Sequence, residues 1–233
     1  MTRGLHAAAA GMRTQLRRQD VNANNLANAG TPGFRRAEMT IGVTAFSHAL
    51  VQAGAVPATD ATSVDLSPGP VHETGSVFDL AIDGDGLFAL QTARGLRYTR
   101  AGSLQPAPDG RLLTTAGHQV MGRRGPIVLP GEEFLVSERG QVFSGGQYVD
   151  DLFIAQLDAG QLRRDPDGLF NANVGPLMMD EPRVRQGYVE EANVSVVREM
   201  AQMMGGFRAY EASATVLRQT DQTVGTLIES ALA

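Results

Sequence analysis

Apolar and small residues recur near the start of the chain at Leu5, Ala9, Met12, Leu16, Ala23 and Leu26, in steps of four and three, with Gln19 in the one missing place. That spacing predicts a helix with the narrow stripe of a coiled-coil seam, not the broader face of a helix laid on a globular core. A second such pattern closes the chain. Val196, Met200, Met203, Phe207, Tyr210, Ala214, Leu217, Asp221, Val224, Ile228 and Ala231 keep the same steps, and Asp221 is the one polar residue among them. A lone polar residue in a seam can set register or partner choice at some cost in stability. Ser195 suits an N-cap, but Arg198 stands where Glu or Gln would complete a capping box. At 1.5 Å per residue this helix is roughly 50 Å long, too long to be buried by the domain that precedes it. Gly205-Gly206 interrupts it with two residues that each cost about 1 kcal/mol against Ala in a helix interior, so a bend is expected there.

The first helix ends in Asn24-Asn25-Leu26-Ala27-Asn28, where short amides compete for backbone groups, and then Thr31-Pro32-Gly33-Phe34 supplies a turn. Residues 35–70 lose periodicity and mix Thr and Ser with Gly54, Pro57, Pro68, Gly69 and Pro70. They read as an extended connector with a short helical or strand piece near Ile41–Val51. From Val71 to Tyr188 short apolar runs alternate with turn markers. Val77–Ile82 and Leu87–Gln91 flank Asp83-Gly84-Asp85-Gly86, read as a hairpin connection, and Asp109-Gly110, Gly145-Gly146 and Asp167-Gly168 mark further turns. The expected fold class is therefore α+β. Coiled-coil-type helices at the two ends (1–34 and 189–233) pair with each other or with copies from other subunits, and an inserted all-β domain, an antiparallel sandwich or barrel-like body, spans 71–188. Asn24, Asn25 and Asn28 suit amide hydrogen bonds across a subunit interface, or equally a helix end.

Composition narrows the chemistry. A net charge of −5 argues against nucleic acid as a partner, since phosphate binding needs a basic surface. The absence of cysteine removes disulfides, thiolate metal sites and a Cys nucleophile. No apolar run reaches the ~20 residues of a membrane span, and the N-terminus lacks an h-region and cleavage site, so export would proceed without a cleaved signal. Asp83-Gly84-Asp85-Gly86 fails as a calcium loop: Phe88 and Arg94 occupy the positions where Gly and Glu are needed. His6, His48, His72 and His118 lack metal-ligand spacing. No nucleophile elbow, P-loop or dinucleotide fingerprint is present. The reading is of a non-enzyme without cofactor, metal or small-molecule substrate.

Several blocks carry a resemblance. Asn24-Asn25-Leu26-Ala27-Asn28 with Thr31-Pro32-Gly33-Phe34-Arg35 resembles the N-terminal signature of bacterial flagellar rod and hook proteins. Phe78–Phe88, Tyr98–Leu104 and Asp109–Leu112 are similar to the start of that family's β domain. Arg185-Gln186-Gly187-Tyr188-Val189-Glu190, Asn193-Val194, Val196-Val197, Glu199-Met200 and Arg208-Ala209-Tyr210-Glu211 resemble its C-terminal signature. The blocks occur in order along nearly the whole chain.

The resemblance implies a basal-body rod subunit that transmits torque from motor to hook. Its terminal helices pair in an inner tube with the β domain outside, and it is exported through the flagellar type III apparatus into the periplasm-spanning rod. Partners implied are copies of itself, other rod subunits, the export apparatus and the P-ring/L-ring bushing. Gly117–Gly122 and Gly125-Pro126-Ile127 resemble the proximal-rod type, while Arg185–Gly187 and Arg208–Glu211 are shared with the distal-rod type, the alternative within the family. A coiled-coil adaptor with a β ligand-binding module is the alternative from another class. Leu5, Met12, Leu16 and Leu26, with Val196, Met200, Met203, Phe207, Tyr210, Leu217, Asp221, Val224 and Ile228, are the expected assembly contacts.

Overall fold

A computed structural model of the chain describes residues 2–41, 60–131 and 133–232. The connector between Ile41 and Asp60, including most of the piece expected near Ile41–Val51, lies outside them. The chain divides into two compact units. The first comprises residues 1–27, 37–63 and 195–233, and the second 28–36 and 64–194.

The first unit holds helix α1 (Thr2–Ala27), helix α2 (Val196–Leu232) and the two-stranded pair β1 (Ala37–Ile41) with β2 (Asp60–Val64). The two helices pack side by side. Because Glu199 lies beside Asn25 while Gly206 lies beside Gln19, they run antiparallel. α2 continues without a break through Gly205-Gly206. Part of the apolar stripe is half-buried, at Met12, Leu26, Met203, Tyr210 and Leu217, but polar residues are drawn in as well. Gln15, Gln19 and Asn22 of α1 turn inward, whereas Ala9, Leu16 and Ala23 are exposed. On α2, Val196, Met200 and Phe207 are also exposed, the last two at 52% each. Between the paired helices the polar amides leave Gln15 Oε1, Gln19 Nε2 and Asn22 Nδ2 without hydrogen-bond partners, an arrangement that costs free energy.

The second unit is built of β-strands, with one short 3-10 helix at Ala159–Gln161. Its strands are β3 (Val71–Glu73), β4 (Leu80–Ile82), β5 (Leu87–Thr92), β6 (Gly95–Thr99), β7 (Leu104–Pro106), β8 (Leu112–Thr114), β9 (Gln119–Val120), β10 (Phe134–Val136), β11 (Gln141–Ser144), β12 (Gln147–Asp151), β13 (Ile154–Gln156), β14 (Leu162–Arg164), β15 (Phe170–Ala172), β16 (Leu177–Met178), β17 (Val184–Gln186) and β18 (Tyr188–Glu190). A nine-stranded sheet runs β14-β15-β6-β5-β9-β8-β7, with β13 pairing β5 and β16. Its end strands β14 and β7 do not pair, so the barrel-like expectation is corrected: the sheet is open. β10-β11-β12 form a second sheet, and β17-β4 and β18-β3 are two-stranded pairs.

β5 explains how the layers meet. Its run Leu87-Phe88-Ala89-Leu90 is buried on both faces, as expected of a strand with cover on each side. Phe88 and Leu90 join Leu80, Ile82, Leu112, Phe134 and Val142 in one core cluster, while Leu87 and Ala89 join Tyr98, Leu162 and Phe170 in another.

The segment Asp83–Gly86 is not a hairpin turn. β4 pairs with β17, and β5 pairs with β6, β9 and β13. The two strands flanking the glycine-rich loop therefore belong to different sheets, and the loop is a corner between them. Gly84 and Gly86 take φ of +102° and +120° there, angles that glycine alone adopts without strain.

Candidate assembly site

Two buried polar clusters organise the sequence signatures, one in each unit. In the first unit the decisive residue is Asn25, the middle amide of the Asn-rich helix end. Its Nδ2 donates to the Ala37 carbonyl at 2.9 Å and its Oδ1 accepts from the Ala37 N–H at 2.8 Å. One amide thus pairs with both backbone groups of a strand residue, as a neighbouring strand would. Nδ2 also lies 3.4 Å from Glu199 Oε2 on α2. Asn25 and Glu199 are fully buried, so α1, β1 and α2 are tied through one side chain. Asn24 is exposed, and Asn28 accepts at Oδ1 from the Thr31 hydroxyl at 3.3 Å.

In the second unit the turn Thr31-Pro32-Gly33-Phe34 closes with the Phe34 N–H donating to Thr31 O. Gly33 has φ +69°, and a Cβ there would lie 2.2 Å from the Ala101 nitrogen. Only glycine fits on both counts. The Gly33 N–H donates to the Glu190 carbonyl at 2.7 Å, which delivers the next basic residue, Arg35, to the Glu190 side chain.

Glu190 is the centre of this cluster. Arg35 Nη1 donates to its Oε1 at 2.5 Å, Arg100 Nε to its Oε2 at 2.5 Å, and the Gly69 N–H to Oε1 at 2.8 Å. The side chains of Arg35 and Glu190 are 2% and 1% exposed, and that of Arg100 is equally buried. Arg100 also donates to the carbonyls of Ile82, Gly84 and Gly86 at 2.6–2.7 Å. The Asp83–Gly86 corner is therefore held by a guanidinium, not by a turn's own hydrogen bond. Burial pushes the Arg35 guanidinium below its ordinary value. Glu190 opposes that shift and the like charge of Arg100 adds to it.

The trio carries one excess positive charge. A cleft of about 170 Å³ beside it is lined by Arg35 and Arg100 and by Asp85 and Asp158. Arg164 lies over the rings of Phe34 (4.3 Å) and Phe170 (5.2 Å) and donates to the Arg35 carbonyl. Burial lowers its pKa to about 10.

The expected assembly residues fall outside these clusters. Leu16, Val196, Met200 and Phe207 stand exposed, while Met12, Leu26, Met203, Tyr210 and Leu217 are half-buried. Leu5 lies in the first turns of α1, and Asp221, Val224 and Ile228 in the last third of α2. Arg35, Arg100 and Glu190 were not singled out by sequence reasoning, although each is the charged member of a glycine- and aromatic-bearing block. A charge recurring inside otherwise turn-forming or apolar blocks was the signal to follow. Among the described residues no acidic or histidine cluster of metal-binding size occurs, and no helix is long and apolar enough to cross a membrane. Nothing in the two clusters presents a nucleophile to a substrate.

The N-terminal signature, through Asn25 and Arg35, and the C-terminal one, through Glu190 and Glu199, both reach into the buried clusters of a structural chain. The chain belongs to the bacterial flagellar basal-body rod protein family. Residues 5–35 match the family model for the flagella basal body rod protein, 81–144 that for the flagellar hook protein FlgE/F/G D1 domain, and 185–230 that for the flagellar basal body rod FlgEFG protein C-terminal. It is similar to the flagellar basal-body rod protein FlgF of Escherichia coli, at 33% identity covering 97% of this chain and 96% of that one. It is also similar to FlgF of Caulobacter vibrioides, at 28% over 98% of each, and to FlgG of Agrobacterium fabrum, at 31% over 94% and 96%. The protein is thus a structural subunit of the basal-body rod and not an enzyme.

Proposed function

We propose that the chain is the proximal-rod subunit that adjoins the distal rod, and that it polymerises into the drive shaft carrying torque to the hook. In this reading it reaches the rod through the flagellar type III apparatus without signal cleavage, and it runs within the P-ring/L-ring bushing. The proximal type is supported by likeness: relatives named FlgF reach 33% identity and those named FlgG 31%.

The observation that carries the polymerising role is the outward apolar stripe. Leu16, Met200 and Phe207 are about half exposed, while Gln15 and Gln19 of α1 lie against Gly206 of α2. Large exposed apolar patches mark interaction surfaces, and here the stripe has coiled-coil spacing. In the rod it pairs with helices of neighbouring subunits, with Leu5, Met12, Leu26, Met203, Tyr210, Leu217, Val224 and Ile228 completing the seam and Asp221 setting its register. Phe207→Asp tests this. The variant is expected to retain the thermal transition of the β unit and to abolish rod assembly and motility. Normal swimming would refute the assignment.

A further inference from the structure

We propose that Asn193 is the joint through which load passes into the β unit, a positioning residue for torque transfer that holds the chain where it enters and leaves that unit. The proposal rests on the reading of the protein as a torque-carrying rod subunit and assigns part of that task to one side chain.

The chain passes between the two units four times, after Ala27, Arg36, Ser63 and Val194. Pull or twist carried by the backbone therefore reaches the β unit at those places. Three of them converge on Asn193, inside the β unit. Its Oδ1 accepts from the Arg36 N–H at 2.6 Å, at the last residue before the second crossing. Its Nδ2 donates to the carbonyls of Asp65 and Ser67 at 3.0 and 2.9 Å, just past the third crossing, and lies 3.3 Å from Ser67 Oγ. Its own backbone N–H donates to the Phe34 carbonyl at 3.3 Å, and Val194 alone separates it from the fourth crossing. The Asp65 N–H donates to the Arg36 carbonyl at 2.9 Å, so the second and third crossings are also tied directly.

An amide suits this place because it carries an acceptor and two donors on one short stem, and so bonds backbone groups of either polarity. Asn side chains that cap a helix or turn bond within a few residues of themselves. Those of Asn193 reach 126 to 157 residues along the chain, which is the span of the β unit itself. Just past the second crossing the next residue, Ala37, is held through both backbone groups by Asn25. The chain is thus gripped at consecutive residues, once within each unit. Hydrogen bonds that meet at one amide are loaded together, whereas the same bonds strung along a strand would open one at a time. A drive shaft needs the first arrangement wherever its backbone carries force.

The test is rotation against load, in cells whose full-length chain carries Asn193→Ala. The variant is expected to enter basal bodies, to retain the near-ultraviolet circular dichroism of the β unit when purified, and to support swimming in dilute medium. Rotation is expected to be lost as viscosity rises, at a load the wild type sustains. Val120→Ala, in the core cluster with Leu90 and Leu112, should lower the thermal transition of the same unit and leave the load response unchanged. Ser67→Cys with Asn193→Cys puts two thiols where those side chains meet, in a chain otherwise free of cysteine. Their disulfide is expected to restore rotation at high load, and reduction to abolish it again. A wild-type load response in Asn193→Ala would overturn the proposal. So would loss of its β fold, its absence from basal bodies, an equal load defect in Val120→Ala, or a disulfide that fails to form or forms without restoring rotation. Each of these leaves the rod assignment standing, whereas basal bodies lacking the wild-type chain would defeat that assignment instead.

Discussion

Replacing Glu190 by glutamine keeps the shape of the side chain and removes one charge. In the native unit its two oxygens accept from Arg35, Arg100 and the Gly69 N–H, all within 2.8 Å and out of contact with water. Glutamine can offer one carbonyl oxygen, and its NH2 then faces a guanidinium that also only donates. Two buried cations are left with no buried carboxylate between them. Removing one partner of a buried ion pair costs about 3–5 kcal/mol, because the other charge stays buried and uncompensated. For a unit of this size that corresponds to a melting temperature lower by about 10–15 °C.

Arg35→Met is the informative comparison. It removes the excess cation, whose guanidinium burial already disfavours, and leaves Arg100 and Glu190 as a neutral pair. Its expected cost is the loss of one charge-assisted hydrogen bond less that relief, about 1–2 kcal/mol. The assay is thermal unfolding of the full chain followed by near-ultraviolet circular dichroism, which reads the tyrosines of the β unit. A Glu190→Gln variant melting within about 2 °C of the wild type would refute the reasoning, and so would an Arg35→Met variant as damaged as Glu190→Gln.

Gly33→Ala is expected to destabilise the β unit by more than 3 kcal/mol, since it forces both a positive φ and a backbone clash at Ala101; denaturant unfolding checks this. Asn25→Ala should cost about 2–3 kcal/mol by leaving the Ala37 N–H and C=O unpaired, and hydrogen exchange at the Ala37 amide should accelerate accordingly. Gly206→Ala should stabilise α2 by up to about 1 kcal/mol, because the added Cβ would meet Gln19 at ordinary contact distance of 3.6 Å; far-ultraviolet circular dichroism on heating measures it. A loss of rod assembly in that variant, despite the stiffer helix, would show that the glycine serves a neighbouring chain.

The legible part of this protein was the part set by short-range rules. The steps of four and three at Leu5–Leu26 and Val196–Ala231 mark helices because a 3.6-residue turn brings those positions to one side, and α1 and α2 are helical over those stretches. The β character of the middle followed from glycine turns that only certain φ values satisfy, as at Gly110, Gly145 and Gly168. The family was legible too, from blocks whose order survives along the chain.

What periodicity could not supply was which groups meet over long separations. Arg35, Arg100 and Glu190 are distant in sequence, and nothing local to any of them says that their charges meet. Only the tertiary structure brings β18 and the Gly33 turn to one point and makes a shared buried carboxylate of Glu190. The same applies to Asp83–Gly86: a turn-forming sequence says that the chain reverses, but pairing partners decide whether it joins one sheet or two. And the seam residues announced themselves as apolar without saying whom they touch, because coiled-coil spacing fixes a face and not an occupant. In the single chain Leu16, Met200 and Phe207 of that face stay exposed while Met12, Met203 and Tyr210 are half-buried, and Gln15, Gln19 and Asn22 also turn inward.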